Sequence, residues 1–445
     1  MRNDSDYKEN KLCKFVLLVG LLVTLLSKSL TVFAEIKGSV EFELAYAVEP
    51  QNLSKVESLI QFEFDGNLTN DIRYTLIPRL RLDFDDHLNT EDNRASNYSN
   101  INGPITDSNN SVLELAEAYI DFDAIGGSWT VGKQQVVWGE ADGLKVLDLI
   151  NPQDFRELNL ERFEDSRIAT WLINGEFEIG FLEESTVQIL LIPDMTFNRL
   201  ADNGADFSIT SPLYAPQPNP AIPTTIKSVD RPSGEIEVGV RWEAFVNGWE
   251  LSLNYFDHFN DTPVIFRELN DNGVLVSPQY LSNEVYGVSA NNAFGDWVLR
   301  LEVAVNSDSY LLSNNLTTGR GIINSPEVKS VIGLDYYGFA DTLLSYQWFH
   351  SSISDYDDEI LRDKDNSIHT LTLRREFRNQ TLRVQLFALL DEENDDGEVR
   401  AEVFYRYSDK LDVWLGFDGF YGDSLGLYGQ FDSNDRITTG LKYSF

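Results

Sequence analysis

Apolar and polar residues take turns along most of the chain. Gly38, Val40, Phe42, Leu44 and Tyr46 fall on one side of an extended segment, and Ser39, Glu41 and Glu43 on the other. That two-residue period belongs to a strand with one apolar face. The alternation returns over 72–84, 236–244, 297–305 and 399–407, always with aliphatic or aromatic residues on one face and charges on the other. Short turn sequences fall at 69–71, 125–127, 246–248, 295–296, 339–341, 378–380 and 408–410. Between them lie longer polar stretches at 86–111, 140–166, 193–234, 258–281, 307–326, 351–366, 391–397 and 423–433. Short and long connections in alternation predict an all-β fold, a transmembrane antiparallel up-and-down β-barrel with short periplasmic turns and long extracellular loops. The spacing gives about 18 strands, with 16 inside the slip of strand ends. Both termini then lie on the side of the short turns.

Aromatic residues gather beside those turns. Trp129, Trp249 and Trp297 open strands, and Phe245, Phe294, Phe377 and Tyr407 close them, as expected of rings at a membrane–water boundary. The chain ends on a strand with apolar residues at Leu441, Tyr443 and Phe445. That ending resembles the insertion signal read by the barrel assembly machinery of Gram-negative bacteria. At the other end, Arg2, Lys8, Lys11 and Lys14 precede an apolar run from Phe15 to Leu26, and Val32-Phe33-Ala34 offers small residues for cleavage. Residues 1–34 are therefore expected to be a cleaved signal peptide, leaving 35–445 as one barrel domain in the outer membrane. The run is too short to span a bilayer as a helix.

Composition narrows the functional classes. With 72 Asp and Glu against 35 Lys and Arg, net charge −37, the field repels polyanions, so nucleic acid is excluded as a partner. The one cysteine, Cys13, lies in the leader, so no disulfide holds the exported chain. Only four histidines occur, His87, His258, His350 and His369, without metal-ligand spacing or a nucleophile motif. No enzyme, no cofactor and no metal site are expected, a hydrolase being a remote alternative. The stretch Glu392, Asn394, Asp396, Gly397 imitates the start of a calcium loop, but Val403 stands where the closing bidentate Glu belongs. A solvated acidic loop is the expectation.

The inward face is expected to carry Arg73, Arg79, Arg81, Lys133, Arg241, Arg300, Arg383, Arg400 and Arg406, nearly balanced by carboxylates. Such a wall can hold water and steer solutes, or brace the barrel through ion pairs. The connection 140–166 is unusual in mixing charges with aliphatic residues Leu144, Val146, Leu147, Leu149 and Ile150. It is expected to fold into the barrel as a constriction, placing Glu140, Asp142, Lys145, Asp154, Arg156, Glu157, Arg162, Glu164, Asp165 and Arg167 at the narrow point. A cap outside the barrel is the alternative. The loop 193–234, with Pro212, Pro216, Pro218, Pro220, Pro223 and Pro232, reads as a stiff outer loop or lid.

The most distinctive stretch is Val131-Gly132-Lys133-Gln134-Gln135-Val136-Val137-Trp138-Gly139-Glu140, followed by Asn151-Pro152. Over about residues 113–175 the chain resembles the porin-like barrel family of unknown function often encoded beside resistance-nodulation-division exporters of lipid-like cargo. A weaker resemblance is to alginate-export barrels. The first resemblance implies the fold and the outer membrane, and adds an inner-membrane exporter system to the expected partners. The others are outer-membrane lipid, lipopolysaccharide and the assembly machinery. Two functions follow: a porin-like channel for ions or small solutes, or an outer component of an exporter of hydrophobic cargo without an open pore.

Overall fold

The computed structural model describes residues 37–445 except 85–96, 109, 142, 181, 183, 218, 220 and 318, and the side chains of Phe163 and Glu164. The expected signal peptide and His87 lie outside the described residues. Eighteen antiparallel strands form a closed barrel. They are β1 (Lys37–Ala47), β2 (Asn52–Asn67), β3 (Ile72–Asp83), β4 (Ser111–Ala124), β5 (Gly127–Gln134), β6 (Thr170–Glu178), β7 (Ser185–Ile192), β8 (Glu237–Val246) and β9 (Trp249–Phe259). The second half holds β10 (Ser282–Phe294), β11 (Trp297–Leu312), β12 (Ile322–Tyr336), β13 (Thr342–Ile353), β14 (Asp365–Phe377), β15 (Leu382–Asp391), β16 (Asp396–Ser408), β17 (Leu411–Tyr421) and β18 (Arg436–Ser444). Each strand pairs with its neighbours in sequence, and β18 closes on β1 from Ser39 opposite Ser444 to Ala47 opposite Arg436. Closure leaves no strand edge unpaired, which a hydrocarbon surround demands.

Outward-facing positions form an apolar exterior. Leu253, Tyr286, Val288, Val303, Ile332, Leu371, Val403 and Leu415 are all exposed, a surface suited to lipid rather than water. Trp249, Phe294, Trp297, Phe377 and Tyr407 flank this band at the short-turn ends, with Trp249 packed edge-on against Phe294 at 5.8 Å. Phe245 departs from the expectation: it is in register with Glu250 and shares the face of Arg241 and Glu243, so it lies at the inner rim. Leu441 and Tyr443 pair with Phe42 and Val40 on the outward face, and Phe445 follows the last strand residue.

The connections keep the two-sided pattern with three differences. A further short connection at 179–184 joins β6 to β7, and the link 48–51 is short although it lies on the long-loop side. The 258–281 stretch contains its own hairpin, Val264–Asn270 with Gly273–Gln279, joined by Thr224–Ile226 into a small sheet. At the supposed calcium-loop start, the strands run on to Asp391 and from Asp396. Backbone N–H groups take up these acids: Asp391 accepts from Glu393 at 3.0 Å, and Asp396 from Tyr428 and Gly429 at 2.6 and 2.9 Å. The two-residue turns use left-handed backbone, as at Asn247 (φ 52°) and Gly248 (φ 87°), matching strand twist.

Candidate functional site in the barrel lumen

The connection between β5 and β6 runs through the lumen, and its apolar and polar halves explain how. Val146, Leu147 and Ile150 are buried with inward residues of the β7–β13 wall, Leu190, Ile192, Phe256, Val285, Ala304, Val331 and Phe349. Apolar side chains displaced from water on both partners drive that docking. Trp138 is buried in the same cluster, edge-on to Phe256 at 6.0 Å, while its Nε1 donates to Gln188 Oε1 at 2.7 Å. Gly139 follows because any Cβ there would stand 2.8 Å from the Asp148 nitrogen. The Asn151 amide ties the two ends of the connection together: Oδ1 accepts from Val136 N at 2.6 Å, and Nδ2 donates to the carbonyls of Gln134 and Ile168. The lumen wall on this side is thus apolar, where alternation alone had suggested an ionic face throughout.

The opposite side of the connection is ionic. Glu157, only 2% exposed, reaches Lys55 of β2 and Arg436 of β18, each at 2.6 Å. Lys55 also meets Glu43 at 3.3 Å, and Arg436 meets Asp418 at 2.9 Å. Glu161 lies 3.2 Å from Arg81. Asn159 donates to Glu398 at 2.8 Å, and its carbonyl accepts from Arg400 at 3.1 Å. Burial alone would raise the Glu157 carboxyl, but Lys55 and Arg436 bring it down to about 2. For Glu161 burial wins: despite Arg81 and Lys55 the carboxyl stands at about 7, with Asp154 and Glu157 adding to the rise.

Two spaces adjoin this ionic side. The larger cavity, about 480 Å³, is bounded by the connection and by β1–β3 and β13–β18. Arg162, Arg374, Arg383, Arg400 and Arg436 face Glu41, Glu157, Asp165, Glu402 and Asp418 across it, and Arg383 pairs with Glu402 at 3.3 Å. Three arginines lie over inward aromatic rings: Arg383 on Phe404, Arg400 on Phe387, and Arg162 on Trp414. The smaller space is a recess between β3–β5 and the connection, where Arg79, Arg81, Lys133, Arg156, Arg167 and Arg199 converge on Glu114, Asp154 and Asp165. Arg79 pairs with Glu114 at 2.9 Å, and Asp154 meets Arg156 at 2.8 Å and Arg199 at 3.9 Å. Burial opposes ionisation of Asp154, but Arg156 and Arg199 override it and hold the carboxyl below its usual range.

Of the residues expected at the narrow point, Asp154, Arg156, Glu157, Arg162, Asp165 and Arg167 are brought together here with Arg79, Arg81 and Lys133. Glu140 and Lys145 stand apart, the Glu140 N–H donating to Glu302 and Lys145 pairing with Asp148 at 2.8 Å. Asp142 and the side chain of Glu164 lie outside the described residues. Arg241 pairs with Glu243, Arg300 with Asp335 at 2.6 Å and Arg406 with Asp412 at 3.3 Å, as braces of the wall, while Arg73 is exposed near the short turns. Sequence reading missed Lys55, Arg199 and Arg436 as members of the site. Lys55 and Arg436 sit at strand ends where inward and outward could not be separated.

Outer loops close over the same region. In the 193–234 loop the stretch before most of the prolines turns inward: Arg199–Leu200 pairs with Asp154–Phe155, and Phe207 packs with Phe420 and Phe431 at 5.9 and 5.5 Å. Phe387, Leu389 and Tyr428 complete this second apolar cluster.

A closed barrel with an apolar exterior, a partly ionic lumen and an infolded loop defines a porin-like transmembrane β-barrel. Residues 52–412 match the family described as protein of unknown function (DUF1302), and the chain belongs to that family. No curated protein matches it in sequence. Among solved structures it is similar to Salmonella typhi OmpF in complex with daunomycin, at 12% identity and TM-score 0.42 over 92% of this chain and 97% of that one. It is also similar to a loop-deletion form of OmpT, an outer membrane protein of Vibrio cholerae, at 10% identity and TM-score 0.40 over 92% and 98%. An engineered Rh. blastica porin gives 11% and 0.39 over 92% and 99%. Likenesses of this degree carry no functional information.

Proposed function

We propose that the chain is an outer-membrane channel of porin type for ions or small polar solutes, with the 135–169 connection as its constriction. In this reading residues 1–34 direct export and are removed, the assembly machinery reads the last strand, and lipid and lipopolysaccharide surround the apolar band. The observation that carries it is the 480 Å³ cavity of nearly balanced charge, bounded by a connection that is apolar toward one wall and ionic toward the other. Charged rings at a narrow point are how such pores select. The test is single-channel conductance of the refolded chain in planar bilayers, with selectivity from reversal potentials. Stepwise conductance is expected, and Arg162→Ala with Arg383→Ala shifts preference toward cations. A folded, heat-modifiable barrel that stays silent would sink the channel reading.

Silence would favour the second reading, an outer component of an exporter for hydrophobic cargo. The two apolar clusters inside the lumen are what favours it.

A further inference from the structure

The recess beside β3–β5 is not needed to explain the constriction. Five of its six cations already have carboxylate partners: Arg79 at Glu114, Arg81 at Glu57 and Glu161, Arg156 and Arg199 at Asp154, and Arg167 at Asp148. Lys133 supplies an independent observation. Trp129 and Val131 precede it on the outward face, in register with Phe122 and Ile120. Gly132 then takes φ 140°, and the Lys133 side chain ends buried, 4% exposed, lining the recess. Its ammonium has no hydrogen-bond or ion-pair partner among the described residues. A buried cation without a partner is costly, and the five arginines within the same lining raise that cost. The simplest remedy is an anion. The free space is about 20 Å³, room for one water-sized group, so the guest is a small head rather than a whole solute. Tyr98 adds a hydroxyl to the lining, and Ile168 and Ala169 add an apolar edge.

We propose that this recess binds a small oxyanionic group, a carboxylate or the oxygens of a phosphate, through Lys133 with Arg156 and Arg199. Charge-assisted hydrogen bonds from a planar guanidinium suit such a head. The binding does not depend on whether the barrel conducts, and it is measured without conductance.

The full chain is refolded in neutral detergent and titrated by calorimetry with sodium acetate and, separately, sodium phosphate, at ionic strength fixed by sodium chloride. One site per chain is expected. Binding that acetate and phosphate share competitively assigns the site to the anionic head of an organic solute, and binding of phosphate alone assigns it to inorganic phosphate. Lys133→Gln weakens affinity by about tenfold or more, the loss expected for one charged hydrogen bond, and Arg199→Gln weakens it comparably. Lys442→Gln, a lumen lysine 3.1 Å from Glu41 and outside the recess, leaves it unchanged. If Lys133→Gln fails to give a heat-modifiable barrel, Arg199→Gln and the charge-keeping Lys133→Arg decide. No heat with either anion, or affinity indifferent to both Lys133→Gln and Arg199→Gln, overturns the proposal.

Discussion

Glu157→Gln is the substitution that most directly asks whether the infolded connection is latched. It keeps the side-chain volume and removes one charge from a group that holds Lys55 and Arg436 at 2.6 Å each. All three are buried, at 2%, 6% and 3% exposure, so solvent screening does little here. Removing one partner of a buried ion pair costs ~3–5 kcal/mol. The low end applies, because Lys55 retains Glu43 and Arg436 retains Asp418. If this loss of about 3 kcal/mol falls on docking of the connection rather than on the barrel, the undocked population rises about a hundredfold. Limited proteolysis within 140–166, run alongside single-channel recording, reads that change. Faster cleavage is expected, together with larger or noisier conductance steps, while heat-modifiability stays intact. Cleavage and conductance both unchanged from the parent chain would refute the latch, whatever the fate of the channel reading.

Other outcomes follow from the same geometry. Leu147→Ala removes a fully buried side chain of the lumen cluster and weakens docking by ~2–5 kcal/mol, again seen as proteolysis within 140–166. Glu161, raised to about 7 by burial, binds a proton in the folded state more readily than when unfolded. Its contribution to docking is therefore fully present below the ordinary carboxyl range and is lost as pH rises through about 7. Conductance should increase over that interval, and Glu161→Gln should flatten the profile. Glu157, held at about 2, acts in the opposite sense, weakening the latch only as pH falls below about 4. On the outside, Val303→Arg places a charge in the lipid-facing band and costs ~2–4 kcal/mol in urea unfolding from vesicles if the band sits at mid-bilayer. Arg383→Gln breaks a half-exposed pair with Glu402 and costs under ~1 kcal/mol while altering ion preference.

Strand periodicity is a local property, and the barrel follows from it with little else. Alternation at 297–305 and 399–407 placed Val303 and Val403 outside and Glu302 and Arg400 inside, because a strand has only two faces. The register of neighbours and the two-residue turns then fix the number of strands. The aliphatic run Leu144–Ile150, out of place in an outer loop, already pointed to a buried surface for that connection. Which wall would receive it was not legible. Leu190, Phe256, Ala304 and Phe349 lie far apart in the chain, and only the successive pairing of β7 to β13 makes them one apolar surface. The same holds for the ionic side, since Lys55 and Arg436 become partners of Glu157 only when β18 closes beside β1 and β2. Lys133, expected on the inward face, gets there against strict alternation, which would set it with Trp129 and Val131 on the lipid face; only the backbone at Gly132 shows how it comes to line the recess. Sequence by itself determined the class of fold, its two faces and the order of its connections. Tertiary structure decided which charges meet, because ion pairs and apolar contacts across a lumen depend on distances that no local period encodes.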